Sequence, residues 1–175
     1  ATWYSYGSLN TAFFVRHGLF GNVGLSDASS GSIDQIEFSA YGRASYSEQW
    51  PVLVHTHFTK NLDAVNLAGE GKQDTGWGVA LEVGDAKQVA LLGVGYYALE
   101  ADFAPALYID SDLTDGFTNR TGWAFYGTRQ ILSNTELTFE LFMSDALDSS
   151  ALFSTSVANS ERLRFRSDVV VKFLS

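Results

Sequence analysis

The sequence predicts an all-β chain: an antiparallel, up-and-down transmembrane β-barrel with eight strands. Three observations carry that expectation. Segments alternating apolar and polar residues recur eight times, the connections between them alternate long and short, and the four tryptophans lie near segment ends.

At 175 residues the chain has the length of one domain, 1–175, and 46% hydrophobic residues are enough to bury a sizeable core. That excludes disorder. The 14% aromatics, 16 glycines, two prolines and one methionine suit strands better than helices. No run approaches the roughly 18 apolar residues of a membrane helix, whereas a transmembrane strand needs only about 9–11 alternating residues. A net charge of −9 argues against nucleic acid as a partner, because phosphate binding needs a basic surface. Cysteine is absent, which removes disulfides and thiolate metal sites. The chain starts at Ala1 on a strand-like segment with no signal peptide in view, which reads as a mature form or as a piece of a longer chain.

The first strand is expected over Thr2–Leu9, aromatic-rich and of ambiguous facing, and a long connection over 10–32 follows. The second, over 33–47, sets Ile36, Phe38, Ala40, Ala44 and Tyr46 against Gln35, Glu37, Ser39, Tyr41 and Arg43. After a short turn at 48–51, the third strand (52–61) sets Val52, Val54, Thr56 and Phe58 against Leu53, His55, His57 and Thr59. A connection over 62–74 leads to the fourth, where Trp77, Val79, Leu81 and Val83 oppose Gly78, Ala80, Glu82 and Gly84. The fifth, over 88–100, is so apolar and glycine-containing that alternation leaves its facing open. An Asp-rich connection (101–119) precedes the sixth strand, 120–132, which turns tightly at Ser133 and Asn134. The seventh, 135–144, opposes Leu137, Phe139, Leu141 and Met143 to Glu136, Thr138, Glu140 and Phe142. A Ser/Ala-rich connection over 145–159 leads to the last strand. It places Arg162, Arg164, Arg166, Asp168, Val170 and Lys172 on one face and Leu163, Phe165, Ser167, Val169, Val171 and Phe173 on the other.

Taken alone, that last strand suits a soluble sheet as well as a barrel wall. The connections separate the two. All long ones fall at one end of the sheet and all short ones at the other, an asymmetry of outer-membrane barrels that a Greek-key sandwich has no reason to show. The aromatics agree: Trp3, Trp50 and Phe173 are expected at the short-connection end, Trp77, Trp123 and Phe58 at the long one, as two interfacial belts. Phe165 joins them on the lipid-facing side.

From Gly76 onward the sequence resembles the C-terminal portion of the bacterial "putative porin" family. The segments that carry the resemblance are GWGVALEVGDAK, GYYALEADFAPALYIDSDLTDGFTNRTGW, LSNTELTFELFMSDAL and the ending RLRFRSDVVVKF; upstream, WPVLVHTHFTKN resembles a strand of the same family that keeps an Asn at its outer end. The resemblance implies a Gram-negative outer-membrane β-barrel, in which this chain is the C-terminal part of a larger porin, passing small hydrophilic solutes or ions by diffusion. It implies as partners outer-membrane lipid and lipopolysaccharide, the solutes, and a homo-oligomer or an envelope-complex subunit. Two residues, Leu174 and Ser175, follow Phe173 where such barrels commonly end on the aromatic. A complete eight-stranded barrel would instead be filled by side chains and act as an anchor, adhesin or subunit through its long connections.

The lumen-lining set expected from alternation is Glu37, Arg43, His55, His57, Glu82, Glu136, Glu140, Arg162, Arg164, Arg166 and Asp168. The three arginines, about 7 Å apart along the strand, suit transit of carboxylates or phosphates, or else pair with the five carboxylates of the same face. His55 and His57 share a face, yet spacing supplies neither a third metal ligand nor a nucleophile and orienting acid. No enzyme activity, cofactor or resident metal is therefore expected. Asp110, Asp112, Asp115 and Gly116 only loosely resemble a calcium loop, missing its spacing by a residue.

Overall fold

The computed structural model describes residues 2–9, 31–45, 47–48, 50–64, 72–103, 118–149 and 161–173; over 2–9, 31–33 and 44–45 the description is of the backbone. Eight strands follow in chain order: β1 Thr2–Leu9, β2 Gly31–Ser45, β3 Val52–Asn61, β4 Thr75–Gly84, β5 Leu91–Leu99, β6 Arg120–Leu132, β7 Thr135–Ala146 and β8 Arg162–Val171. They form one sheet, each strand hydrogen-bonded to its neighbours in sequence through seven antiparallel ladders. No helix occurs among the described residues. Connections at 46–51, 85–90 and 133–134 lie at one end of the sheet; those at 10–30, 62–74, 100–119 and 147–161 lie at the other.

The sheet is open. Its order ends on β1 and β8, and no ladder joins them among the described residues, so the closure expected from the sequence is not present. The pairing at one edge explains part of this. Among the described residues β1 meets β2 from Gly31 to Glu37, with its register interrupted between Tyr6 and Leu9, and Phe38–Ser45 has no β1 partner.

Directly opposed residues of an antiparallel ladder lie on the same face, so the register sorts every strand. One face carries a continuous apolar surface. A row runs Phe38, Phe58, Trp77, Ala98; the next Ala40, Thr56, Val79, Tyr96, Trp123, Met143, Leu163; the next Gly42, Val54, Leu81, Val94, Phe125, Leu141, Phe165. These apolar side chains are largely exposed, with Phe38 at 51%, Leu163 at 72% and Phe165 at 68%. The register also settles β5, whose Leu92, Val94 and Tyr96 join this face while Gly93 and Gly95 lie opposite.

Buried apolar residues gather at the long-connection end, where Tyr97, Leu99 and Phe103 form a small core; Ala64, Ala101 and, at the end of its row on the apolar face, Ala98 are buried too. The two faces of the sheet therefore differ: large exposed apolar side chains cover one, and the charged residues of the strands lie on the other.

One row of paired residues shows how the strands are staggered. Thr2, Glu37, Thr59, Gly76, Leu99, Arg120 and Ala146 are successive partners. The row starts at the first residue of β1, at the short-connection end, and leaves on the last residue of β7, at the long one. Strands staggered in this sense run oblique to the rims, the shear a curling sheet requires.

Candidate functional site: the polar face

All eleven residues proposed above as lumen-lining fall on the polar face, at four levels near the middle of the wall and two nearer its short end. Glu37 pairs with Thr59 in the uppermost row. Below it Ser39, His57, Gly78, Tyr97, Gly122, Ser144 and Arg162 align, then Tyr41, His55, Ala80, Gly95, Ala124, Phe142 and Arg164. The next row is Arg43, Leu53, Glu82, Gly93, Tyr126, Glu140 and Arg166. Asp168 pairs with Thr138, and Glu136 with Gln130 and Val170.

Small residues dominate the middle of this face, and the larger side chains reach across them. Tyr126 lies flat over Gly93: a Cβ built there would stand 2.1 Å from the tyrosine Cζ. The ring thereby crosses one whole strand, and its hydroxyl donates to Glu82 Oε1 at 2.7 Å. The other carboxylate oxygen of Glu82 is 3.0 Å from His55 Nε2, so one acid ties β6 to β3. The His55 ring stacks on Tyr41, with centroids 6.4 Å apart.

His57 is engaged separately. Its Nδ1 lies 3.1 Å from Ser39 Oγ and 3.6 Å from Glu37 Oε1, and its Nε2 lies 2.9 Å from Thr59 Oγ1. A serine thus stands beside a histidine, which sequence spacing did not reveal because the two are brought together by the β2–β3 ladder. The carboxylate approaches the same nitrogen as the serine, however, so no acid orients the ring from its far side as a hydrolytic triad requires. Among the described residues no group of three or more His, Asp or Glu side chains is placed to hold a metal ion.

Between these side chains lies a trough of about 400 Å³, lined by Ser39, Tyr41, His55, His57, Tyr97 and Tyr126 over a floor of Gly78, Ala80, Gly95 and Ala124. The arginine ladder stands apart from it on β8, with β7 between. Arg166 Nε is 2.6 Å from Asp168 Oδ2, and its Nη1 is 3.9 Å from Glu140 Oε2, so pairing within the face accounts for this arginine. Arg162 and Arg164 each make contacts of their own.

Beyond β5 the chain continues the β4–β5 ladder: Glu100 N donates to Thr75 O at 2.9 Å, and Asp102 N to Gln73 O at 2.8 Å. The Phe103 ring then covers Gly76, where a Cβ would meet Phe103 Cδ2 at 2.4 Å. Asn61 ties this extension to the neighbouring strands. Fully buried, it donates from Nδ2 to Asp102 O at 2.8 Å, while its Oδ1 accepts from Asp34 N and Asp63 N, both at 3.1 Å. Asn119, in the left-handed region at φ 57°, makes the corresponding tie, with Nδ2 donating to Asp148 O at 2.8 Å and Oδ1 accepting from Asp148 N at 2.9 Å. Next to it the buried Arg120 donates to Ser144 Oγ at 2.9 Å.

Trp77, Trp123 and Phe165, three of the residues expected to face lipid or form belts, lie on the apolar face. Trp77, Tyr96 and Trp123 form a chain of ring contacts on the outer face, at 5.6 Å and 5.0 Å, and Trp123 continues to Phe125 at 6.3 Å. Trp50 sits in the short β2–β3 connection, its backbone N donating to Ser47 Oγ at 3.2 Å. Trp3 is opposite Ile36, and its side chain lies outside the described ones. Phe165 and Phe173 are exposed, the latter at 88%. The acidic segment with Asp110, Asp112, Asp115 and Gly116 falls outside the described residues, as do the side chains of Ala44 and Tyr46.

Against known proteins the chain matches no family model, no curated protein and no solved structure. No family is therefore identified, and the resemblance to the putative porins rests on the quoted segments alone.

Proposed function

We propose that this chain forms the wall of a porin-type β-barrel of the Gram-negative outer membrane, passing small hydrophilic solutes or ions by passive diffusion. The observation that carries the reading is its sidedness: a continuous exposed apolar face across the strands, backed by a face of glycine, histidine, carboxylate and arginine. In water such a surface is an aggregation liability; in lipid it is the required solvent contact.

Three further features support it. Trp77, Tyr96 and Trp123 form an aromatic girdle at the long-connection end of the apolar face, where amphipathic rings favour the interface. Leu163 and Phe173 bound the apolar face of the last strand; ten residue rises give about 33 Å, which a tilt of about 40° reduces to about 25 Å, the height of an outer-membrane apolar band. Unpaired strand edges are not tolerated in hydrocarbon, so the edges at β1 and β8 pair there, with one another or with further strands. The stagger of the ladders suits such closure.

On this reading the outer face meets lipid and lipopolysaccharide, and the polar face, with the trough beside His55 and His57 and the arginines of β8, lines the solute path. The polar face has no catalytic or cofactor role. A second reading has its own observation. The Tyr126–Glu82 strut, the Arg166 pairs and the inward Phe103 fill space on the polar face. If closed on eight strands, the barrel is then a plugged anchor, adhesin or subunit that works through its long connections.

Refolded protein in planar bilayers separates the two. Discrete conductance steps are expected of the porin, and their absence above leak leaves the filled barrel. Boiled and unboiled samples that migrate identically on SDS gels, with no β signal by circular dichroism in detergent, sink the membrane reading itself.

A further inference from the structure

We propose that Gly93 sets the width of the solute path: its missing side chain lets the Tyr126 ring lie flat against the wall instead of standing into the lumen. The inference rests on the porin-type reading above and names the residue that determines which solute sizes pass.

Glu82, Gly93 and Tyr126 are successive partners in one row of the polar face, on β4, β5 and β6. A tyrosine on that face can hold its ring upright, away from the sheet, or lay it along the row across its neighbour. The second arrangement needs a neighbour without a Cβ, because only glycine lets another group approach the backbone so closely. A Cβ at Gly93 would collide with Tyr126 Cζ and both Cε atoms, so the ring fills the space that any other residue's Cβ would take. At Gly78 and Gly95, on the same face, the nearest atom to such a Cβ is 3.5 Å and 3.4 Å away, an ordinary contact. The ring above it therefore sets Gly93 apart from its small neighbours.

The far end of the ring is anchored. Its hydroxyl donates to Glu82 Oε1 at 2.7 Å, and Glu82 Oε2 lies 3.0 Å from His55 Nε2, so the phenol is tied to a carboxylate that is itself engaged from β3. This bond to a charged acceptor keeps the ring down on the wall. Tyr126 lines the trough together with Tyr41 and His55, over the floor of Ala80, Gly95 and Ala124. A ring lifted off Gly93 loses Glu82 and swings into the space over that floor. In a water-filled path the open cross-section limits both ion flow and the size of solute that passes. One methyl group at position 93 thus narrows the path through a side chain on the next strand.

The test uses the refolded full chain, in planar bilayers for single-channel conductance and in liposomes for osmotic swelling with arabinose and with sucrose. Gly93→Ala is expected to lower the conductance about twofold and to slow sucrose entry more than arabinose entry, the signature of a narrower path rather than of fewer channels. Tyr126→Ala is expected to conduct as much as the original chain or more, and in that background Gly93→Ala has no effect. Gly42→Ala, on the apolar face where a Cβ meets nothing within 4 Å, leaves both readings as they were. If Gly93→Ala does not refold, Tyr126→Phe takes its place: it adds no volume, removes only the bond to Glu82, and is expected to show brief closures absent from the original chain. An unchanged conductance and sugar preference in Gly93→Ala, the same loss with and without the ring, or, in the substitute variant, a channel as steady as the original each overturns the inference, while steps from the original chain keep the porin reading. An original chain that gives no steps removes that reading and the inference together.

Discussion

Replacing Gly93 by alanine tests the strut that organises the polar face. The new Cβ would stand 2.1 Å from Tyr126 Cζ and within 2.3 and 2.7 Å of the two Cε atoms, so the ring must lift off β5. Lifting it breaks the 2.7 Å bond to Glu82. A hydrogen bond to a charged acceptor contributes about 1.5–3 kcal/mol, and the Glu82 side chain, 19% exposed, regains only part of that from water. Overpacking adds about 1–3 kcal/mol, and the entropy gained on leaving glycine returns roughly 0.5–1 kcal/mol. The net expectation is a destabilisation of about 2–4 kcal/mol, read from urea unfolding in detergent micelles by tryptophan fluorescence. The decisive comparison is a Tyr126→Ala background, where the collision is gone and Gly93→Ala is expected to be neutral or to stabilise by up to about 1 kcal/mol. A Gly93→Ala cost that is the same with and without the tyrosine ring refutes the strut.

The remaining expectations concern the two faces and the rim. Phe125→Arg on the apolar face is expected to cost about 2–4 kcal/mol when folded in bilayers, against little for Ala124→Ser one residue away on the polar face; equal small effects of both in vesicle unfolding would argue for a water-facing wall. Asn61→Ala removes three hydrogen bonds of a buried side chain at once and is expected to cost about 2–4 kcal/mol in the same assay, with Asn61→Asp no milder at neutral pH because it buries a charge and sets a carboxylate oxygen against Asp102 O. Gly76→Val displaces the Phe103 ring, and faster cleavage of the β5–β6 connection by added protease is the readout; an unchanged cleavage rate means the ring does not hold that segment. Arg164→Ala is expected to shift the reversal potential in a salt gradient toward cations, and unchanged selectivity leaves the arginine ladder structural.

Strand positions were legible because alternation with period two survives wherever one side of a strand meets apolar surroundings and the other polar ones. β3, β6 and the short turn at Ser133 and Asn134 lie where that pattern places them. β5 resisted the same reading because Leu91, Leu92 and Leu99 make both its faces apolar. Its facing is decided by neighbours: Gly93 and Gly95 turn to the polar side, where the Tyr126 ring crosses Gly93. A pair of glycines two apart, with a tyrosine on a later strand, was the available signal. The register shift between Arg43 and Ser45 was equally invisible, since it depends on what β3 offers opposite β2. Closure was over-read from an even strand count and sorted connections; the ladder that would close the sheet depends on how far β1 pairs, which alternation does not encode. On the polar face, the sequence identified the charged set but missed its partners. Ser39 meets His57, and Tyr126 meets Glu82, through pairing rather than spacing.

The buried asparagines at the rim also bear on how such a chain can change over time. Asn61 and Asn119 tie the ends of β3 and β6 to backbone atoms at Asp34, Asp63, Asp102 and Asp148, where the long connections begin. Sequence beyond these knots can drift, lengthen or be exchanged under outside selection without the wall having to re-pack. The frame of the molecule is thus held by side-chain bonds at its rim as well as by its ladders, and a change at either asparagine is felt by two elements at once.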